Sequence, residues 1–154
     1  MTRIYDLPGH QIRRLHQISV AVFIAQAKAA GFDLTPVQYA ALSVLQDHPG
    51  IDQATLAGLI AHDRVTLGGV VARLEARGYI ARRIKDGDRR ARTMILTERG
   101  QSLVQTIRPA VRATQDQIMA GLTDAERAEF MRLVRKLTDT GNHHARAPYE
   151  GVED

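Results

Sequence analysis

Arginine side chains are concentrated in one fifth of this 154-residue chain. Between His62 and Arg92 lie nine basic residues, namely Arg64, Arg73, Arg77, Arg82, Arg83, Lys85, Arg89, Arg90 and Arg92. Four acidic residues share this stretch, so it carries a net +5, whereas the rest of the chain, with 12 basic and 13 acidic residues, carries −1. The planar fork of arginine suits phosphate oxygens and guanine edges. A solvated charged surface is the alternative interpretation, and position in the fold decides between them.

The composition excludes several classes of protein. Hydrophobic residues make up 44% and charged residues 25%, which is typical of a globular domain. The absence of cysteine excludes disulfides, zinc–thiolate sites and a thiol switch. The longest nearly apolar run, residues 18–24, is far shorter than the roughly 18 residues that span a bilayer, and no secretory signal is recognisable. We expect a soluble cytoplasmic protein with no cofactor.

Helical periodicity places elements on both sides of the basic stretch. A first helix over residues 10–31 is predicted from apolar residues at spacings of three and four: Ile12, Leu15, Ile18, Val22 and Phe23. Thr35 and Pro36 form a start signal for a second helix. After the basic stretch, Thr97 begins a helix to about Met119 that Pro109 is expected to kink. A capping box then opens a last helix, whose inward residues are predicted to be Phe130, Leu133, Val134 and Leu137.

The basic stretch itself divides into two helices and a hairpin. Asp52 opens a short helix that ends near His62, and Asp63 caps a second helix that runs to Gly78. Two β-like runs, residues 80–85 and 92–96, flank a polar turn over residues 86–91. The order is that of a winged helix-turn-helix, in which a helix enters the major groove and a hairpin tip reaches the minor groove. Because the excess arginines fall on these two elements, DNA binding is favoured over a solvated surface.

Three motifs in the right order resemble the MarR family of transcriptional regulators. The segment 34–42, with Thr35, Pro36 and Gln38, resembles the family pattern LTPxQxxxL, and residues 73–78 resemble the RLExxG end of its recognition helix. Residues 88–97 followed by Gly100 match its wing motif DxRxxxxxLT and glycine. The similarity covers roughly residues 10–138. It implies a winged-helix homodimer that binds a palindromic double-stranded DNA operator, commonly as a repressor released by a small ligand, and hence a nucleoid-associated protein.

The resemblance also implies a division of the chain and a set of DNA-binding residues. The expected fold is mainly α with a small β wing. Residues 1–34 form an N-terminal dimerisation helix, 35–97 the DNA-binding domain, 98–140 the C-terminal dimerisation helices and 141–154 a flexible tail. Arg90 is placed in the minor groove, with Asp88 holding it. The DNA-binding residues are predicted to be Arg64, Val65, Thr66, Gly68, Gly69, Arg73, Arg82, Arg83, Asp88, Arg89, Arg90 and Arg92.

Adjacent glycines depart from the family pattern in the middle of the recognition helix. Gly68 and Gly69 together cost about 2 kcal/mol of helix propensity relative to alanine. In one interpretation they let the helix approach the groove floor, so that Val65 and Thr66 touch thymine methyl groups. In the other they allow tight packing against another helix. Phosphate contact is the expected role of Arg64 and Arg73.

A regulatory ligand site is predicted on the first two helices. His10, Arg13 and Arg14 share one helix face, and with Tyr39 they suit a planar carboxylate such as a benzoate-, phenolate- or nicotinate-like acid. Alternatively, the arginines form surface ion pairs and Tyr39 belongs to the core. No metal site is expected, and the absence of GxSxG, P-loop and GxGxxG motifs argues against an enzyme. The other functional class considered is a winged helix that binds proteins, or DNA non-specifically, without an effector.

Overall fold

A computed structural model describes residues 3–85 and 88–151, with side chains described for residues 3–84 and 92–151. Six α-helices and one hairpin follow each other in the order α1 Pro8–Ala29, α2 Pro36–Asp47, α3 Gln53–Leu59, α4 Arg64–Ala76, β1 Ile80–Lys85, β2 Asp88–Leu96, α5 Glu98–Ile118 and α6 Asp124–Gly141. Single 3-10 turns lie at Ile4–Asp6 and Asn142–His144. The predicted class, mainly α with a small antiparallel wing, is confirmed. No helix in the described ranges is long and apolar enough to cross a membrane.

Helix starts and stops follow the predicted local chemistry. At the start of α2 the Gln38 backbone N–H donates to the Thr35 hydroxyl (3.2 Å) and the Thr35 N–H donates to the Gln38 side chain (3.0 Å). The same reciprocal capping box joins Thr123 and Glu126 at α6. Donation from the Thr123 backbone N–H lowers the pKa of the Glu126 carboxyl. Gly31 follows α1 with a φ of +84°, a left-handed conformation that glycine adopts without steric cost.

The core lies between α2, α3, α4, α5 and the hairpin. Its fully buried large side chains are Leu42, Leu45, Leu56, Leu67, Val71, Leu74, Met94, Val104 and Ile107. The buried leucines and valines of α2 and α4 recur at spacings of three and four, so one face of each helix lies inward. Tyr39 is only half-buried at the edge of this core. Helix α5 continues through Pro109 as a single element, so it runs the length that was predicted for it.

Much of the apolar surface of the first and last helices is unburied within one chain. On α1 only Phe23 and Ala27 are buried, while Ile12 and Ile18 remain 62% and 49% exposed. On α6 no residue is buried, and Leu137 is 68% exposed. The inward stripe predicted for α6 is thus absent from the single chain. Exposure of this much apolar surface at both ends is typical of an interaction site.

The hairpin is longer than the sequence pattern indicates. Strand β2 begins at Asp88, four residues before the predicted start, and the register runs from Ile80 opposite Leu96 to Lys85 opposite Asp88. Residues 88–91 therefore belong to strand β2 and were wrongly placed in the turn, although the register shifts between Ile84, opposite Arg92, and Lys85, opposite Asp88. The sequence of residues 88–91 carries no alternating apolar pattern, which is the signal on which the strand prediction depended. Hydrogen bonds from Met94 to the Ile51 carbonyl and from Gly50 to the Met94 carbonyl pin β2 to the domain.

The described part of the C-terminal segment, predicted to be a flexible tail, makes contacts with the domain. After the turn at Asn142–His144 the chain returns to α3, where the Glu150 N–H donates to the Gly58 carbonyl (2.9 Å). This attachment uses backbone groups and single side chains rather than a periodic stripe. Sequence periodicity therefore gave no sign of it.

Candidate nucleic-acid interface

The start of α4 is held by the carboxylate of Asp63. Its Oδ1 accepts from the backbone N–H groups of Val65 (3.1 Å) and Thr66 (3.2 Å), as expected of an N-cap. The Thr66 N–H lowers the pKa of the Asp63 carboxyl, and the guanidinium of Arg146 lowers it further. An acidic group at this position therefore has a structural reason, because it fixes the first turn of the helix.

One side of α4 is exposed and carries the residues predicted to contact DNA. This side, which we call the α4 outer face, consists of Arg64, Val65, Thr66, Gly69, Ala72, Arg73 and Ala76. Val65 is 85% exposed, more than any other large apolar side chain in the described ranges. The Thr66 hydroxyl donates to the Asp63 carbonyl (3.0 Å). The α4 outer face therefore combines small and apolar side chains with flanking arginines.

The two glycines of α4 have different surroundings. A Cβ built on the half-buried Gly68 would lie 3.4 Å from the side-chain nitrogen of Gln53 on α3. A Cβ on the exposed Gly69 would meet only the guanidinium of Arg73, at 3.7 Å. Gly68 therefore faces the neighbouring helix, which fits the packing interpretation. Gly69 lies on the outer face, where no atom of a neighbouring helix in the described ranges would lie within 4 Å of an added Cβ.

The wing is attached to α4 by an ion pair. The Arg82 Nε lies 3.1 Å from the Glu75 carboxylate, so this predicted DNA-binding arginine contacts the recognition helix in the free protein. Arg83 and Arg92 are exposed on the two strands. The side chains of three further predicted DNA-binding residues, Asp88, Arg89 and Arg90, lie outside the described residues. This pair therefore joins the first strand of the hairpin to the last turns of α4.

A second anchor joins the base of the wing to α5. The Thr97 hydroxyl donates to the Gly78 carbonyl (2.6 Å) and accepts from the Gly100 N–H (3.1 Å), and the Thr97 N–H donates to the Tyr79 carbonyl (3.1 Å). The guanidinium of Arg77 lies 5.1 Å from the Tyr79 ring centroid, a cation–π distance. The spacing of Thr97 and Gly100 in the wing motif therefore serves the framework of the wing, a role that the sequence pattern did not predict.

The four predicted ligand-binding residues are not all together in one chain. His10, Arg13 and Arg14 lie on the first half of α1, where Arg13 donates to Gln17 (3.1 Å) and the His10 ring packs edge-on against Tyr5 (5.8 Å). Tyr39 packs against Phe23, with ring centroids 5.9 Å apart. Since 13 residues of helix separate His10 from Phe23, Tyr39 lies roughly 20 Å further along α1. A single protomer does not bring the aromatic ring to the basic residues.

A capped helix in a helix-turn-helix, followed by a basic hairpin held against it, defines a winged-helix DNA-binding protein. Comparison with known proteins specifies the family. Residues 32–91 match the family model described as MarR family. The repressor NicR of Pseudomonas putida is 35% identical over 132 residues, which cover 86% of this chain and 82% of NicR. The chain belongs to the MarR family, whose members are DNA-binding regulators of transcription and not enzymes.

Solved structures of ligand-controlled regulators are similar along nearly the whole chain. Bordetella bronchiseptica BpsR, whose DNA binding is regulated by 6-hydroxynicotinic acid, superposes with a TM-score of 0.84 at 30% identity, covering 90% of this chain and 98% of BpsR. Streptomyces coelicolor PcaV, solved with its natural ligand, has a TM-score of 0.80 at 28% identity, with coverage of 90% and 96%. The similarity therefore includes the terminal helices as well as the winged domain.

Proposed function

We propose that this protein is a ligand-responsive repressor that binds a palindromic operator as a homodimer and is released by a small aromatic acid. The observation that supports this function best is the α4 outer face beside an arginine-rich wing, on a chain whose remaining charge is close to zero. A helix and an adjacent hairpin tip together contact a major and a minor groove.

Each part of this surface has a proposed role on DNA. Val65 and Thr66, in the first turn of α4, contact thymine methyl groups, while Arg64 and Arg73 bind phosphates on either side. Arg90 enters the minor groove and Asp88 orients it, as the family resemblance implies. The remaining exposed wing arginines add phosphate contacts, so operator affinity falls steeply with salt as counterions are released.

Dimerisation is proposed from the apolar surface that the single chain leaves exposed. Two-fold pairing of α1 and α6 would bury Ile12, Ile18 and Leu137 and place two recognition helices roughly 34–36 Å apart, one turn of DNA. Light scattering coupled to size exclusion at micromolar concentration is expected to give twice the 17.0 kDa of the chain. A mass of one chain under these conditions contradicts the dimer and, with it, recognition of a palindrome.

The effector is proposed to be a planar aromatic carboxylate. His10, Arg13 and Arg14 present a cationic face on α1 that suits a carboxylate. Tyr5 of the same chain packs edge-on against His10, whereas Tyr39 packs on Phe23, so we propose that the partner protomer supplies the second wall for the ring. The relatives support this class of ligand, since 6-hydroxynicotinic acid regulates DNA binding by BpsR.

Selection of bound DNA from a random duplex pool tests the whole proposal. The full-length protein is expected to recover a palindrome, and a panel of benzoate, phenol and nicotinate derivatives is then expected to contain one acid that releases it. Recovery of DNA with no shared sequence would indicate a non-specific or protein-binding module instead. A palindrome that no acid releases would leave the operator role standing and contradict the effector class.

A further inference from the structure

The end of the described chain forms a closed loop. The side-chain amide of Asn142 donates to the Tyr149 carbonyl (2.9 Å), and its oxygen accepts from the Tyr149 N–H (2.7 Å). One asparagine therefore satisfies both backbone groups of a residue seven positions away. We call residues 142–151 the C-terminal strap.

The strap is attached to α3 at Gly58, where a side chain would not fit. Glu150 donates its N–H to the Gly58 carbonyl (2.9 Å). A Cβ built on Gly58 would lie 2.6 Å from the Glu150 carboxylate and 2.9 Å from the Glu150 Cβ. Real Cβ atoms do not approach other atoms this closely, so attachment of the strap requires glycine at position 58.

Attachment at Gly58 brings Arg146 to the start of the recognition helix. The Arg146 Nε lies 3.5 Å from Oδ2 of Asp63, whose Oδ1 caps α4. The Arg146 side chain is 88% exposed. Within the described residues no other ion pair or hydrogen bond of Arg146 is present, so its Nη groups keep their donors available. An ion pair this exposed contributes little to folding stability, and a stabilising role does not account for it.

We propose that Arg146 is a further DNA-binding residue, which the C-terminal strap delivers to the phosphate backbone beside the first turn of α4. The inference rests on the proposed function, in which the outer face containing Arg64 and Val65 enters the groove. The carboxylate of Asp63 lies next to that face and repels phosphates. Arg146 offsets this charge and supplies guanidinium donors of the kind that bind phosphate.

Removal of the guanidinium is the direct test. Arg146→Ala is expected to weaken binding to a labelled random-sequence duplex, and to the selected palindrome, by about tenfold because one phosphate contact per protomer is lost. Affinity decreases as salt increases, and the plot of log affinity against log salt is expected to become less steep by about 2 per dimer. Arg146→Lys retains the positive charge and should therefore show the salt dependence of the wild type. Arg112→Ala, which removes an exposed arginine from α5, outside the proposed pairing of α1 and α6, is the matched charge control and should bind as the wild type does.

Release of the strap with Arg146 still present is the second test. Gly58→Ala displaces Glu150 while favouring the α3 helix, so it should weaken binding to both duplexes without unfolding the protein. Gly9→Ala, at a helical glycine with open space around it, is the matched control.

Tighter binding by Gly58→Ala would overturn the inference, because the strap would then obstruct DNA. An unchanged salt slope in Arg146→Ala would also overturn it. Failure of the wild type to bind any duplex would instead refute the proposed function itself.

Discussion

Val65→Glu is expected to abolish operator recognition while the protein remains folded. Val65 is 85% exposed in the first turn of α4 and makes no contribution to the core. In the proposed complex it lies against base edges between two phosphate backbones. A carboxylate there loses the methyl contact and meets phosphate charge in a poorly hydrated groove, which costs several kcal/mol. We expect operator affinity to fall by at least about 100-fold, equivalent to about 3 kcal/mol.

Fluorescence anisotropy on the selected palindrome, together with thermal unfolding, measures both parts of this expectation. Val65→Thr keeps a methyl group of the same shape and should retain most of the affinity. Gln101→Glu adds the same charge in the exposed first turn of α5 and should bind as the wild type does. If Val65→Glu bound the palindrome normally, α4 would not be the element that enters the groove.

Gly100→Ala is expected to produce the largest loss of stability among single substitutions that add only one carbon. A Cβ at Gly100 would overlap the Tyr79 carbonyl oxygen and lie 3.0 Å from the carbonyl carbon. Both atoms belong to the backbone at the base of the wing, which the Thr97 hydrogen bonds hold in place. Neither the start of α5 nor the Tyr79 backbone can move without breaking this junction. We therefore expect the free energy of unfolding to decrease by about 3 kcal/mol. For a chain of this size the melting temperature should fall by about 6 to 12 °C.

Circular dichroism melting of Gly100→Ala beside Gly9→Ala isolates the cause. Both glycines lie in the first turn of a helix, but a Cβ at Gly9 would meet no atom within 4 Å. Alanine favours the helix by up to about 1 kcal/mol relative to glycine, so Gly9→Ala should melt at the wild-type temperature or above it. Equal melting temperatures for the two variants would show that the junction between wing and α5 relaxes easily.

Local features of the fold were predictable because their causes are local. The caps formed by Thr35, Asp63 and Thr123 depend on side chains two or three residues from the N–H groups that they bind. The buried stripes of α2 and α4 follow from helical spacing against a single core. The exposed position of Val65 follows from the same spacing.

The features that were missed depend on residues far apart in sequence. Arg82 is part of a basic run, and only the folded hairpin shows that it pairs with Glu75. The early start of β2 at Asp88 depends on pairing with Lys85 of β1, and no apolar pattern in residues 88–91 indicates it. Tyr39 and His10 line no common pocket within one chain. Their separation depends on where α2 packs along α1, which places Tyr39 beside Phe23.

The sequence by itself determined the capped helix starts, the winged-helix order, the family resemblance and the concentration of arginine on two elements. These follow from short-range hydrogen bonding, from periodicity and from charge counted along the chain. Only the tertiary structure decided which arginines point outward, how Gly68 and Gly69 differ, and that the strap attached at Gly58 carries Arg146 to Asp63. The physical reason is that each of these contacts joins segments whose proximity depends on packing of the whole core, and no local pattern encodes that proximity.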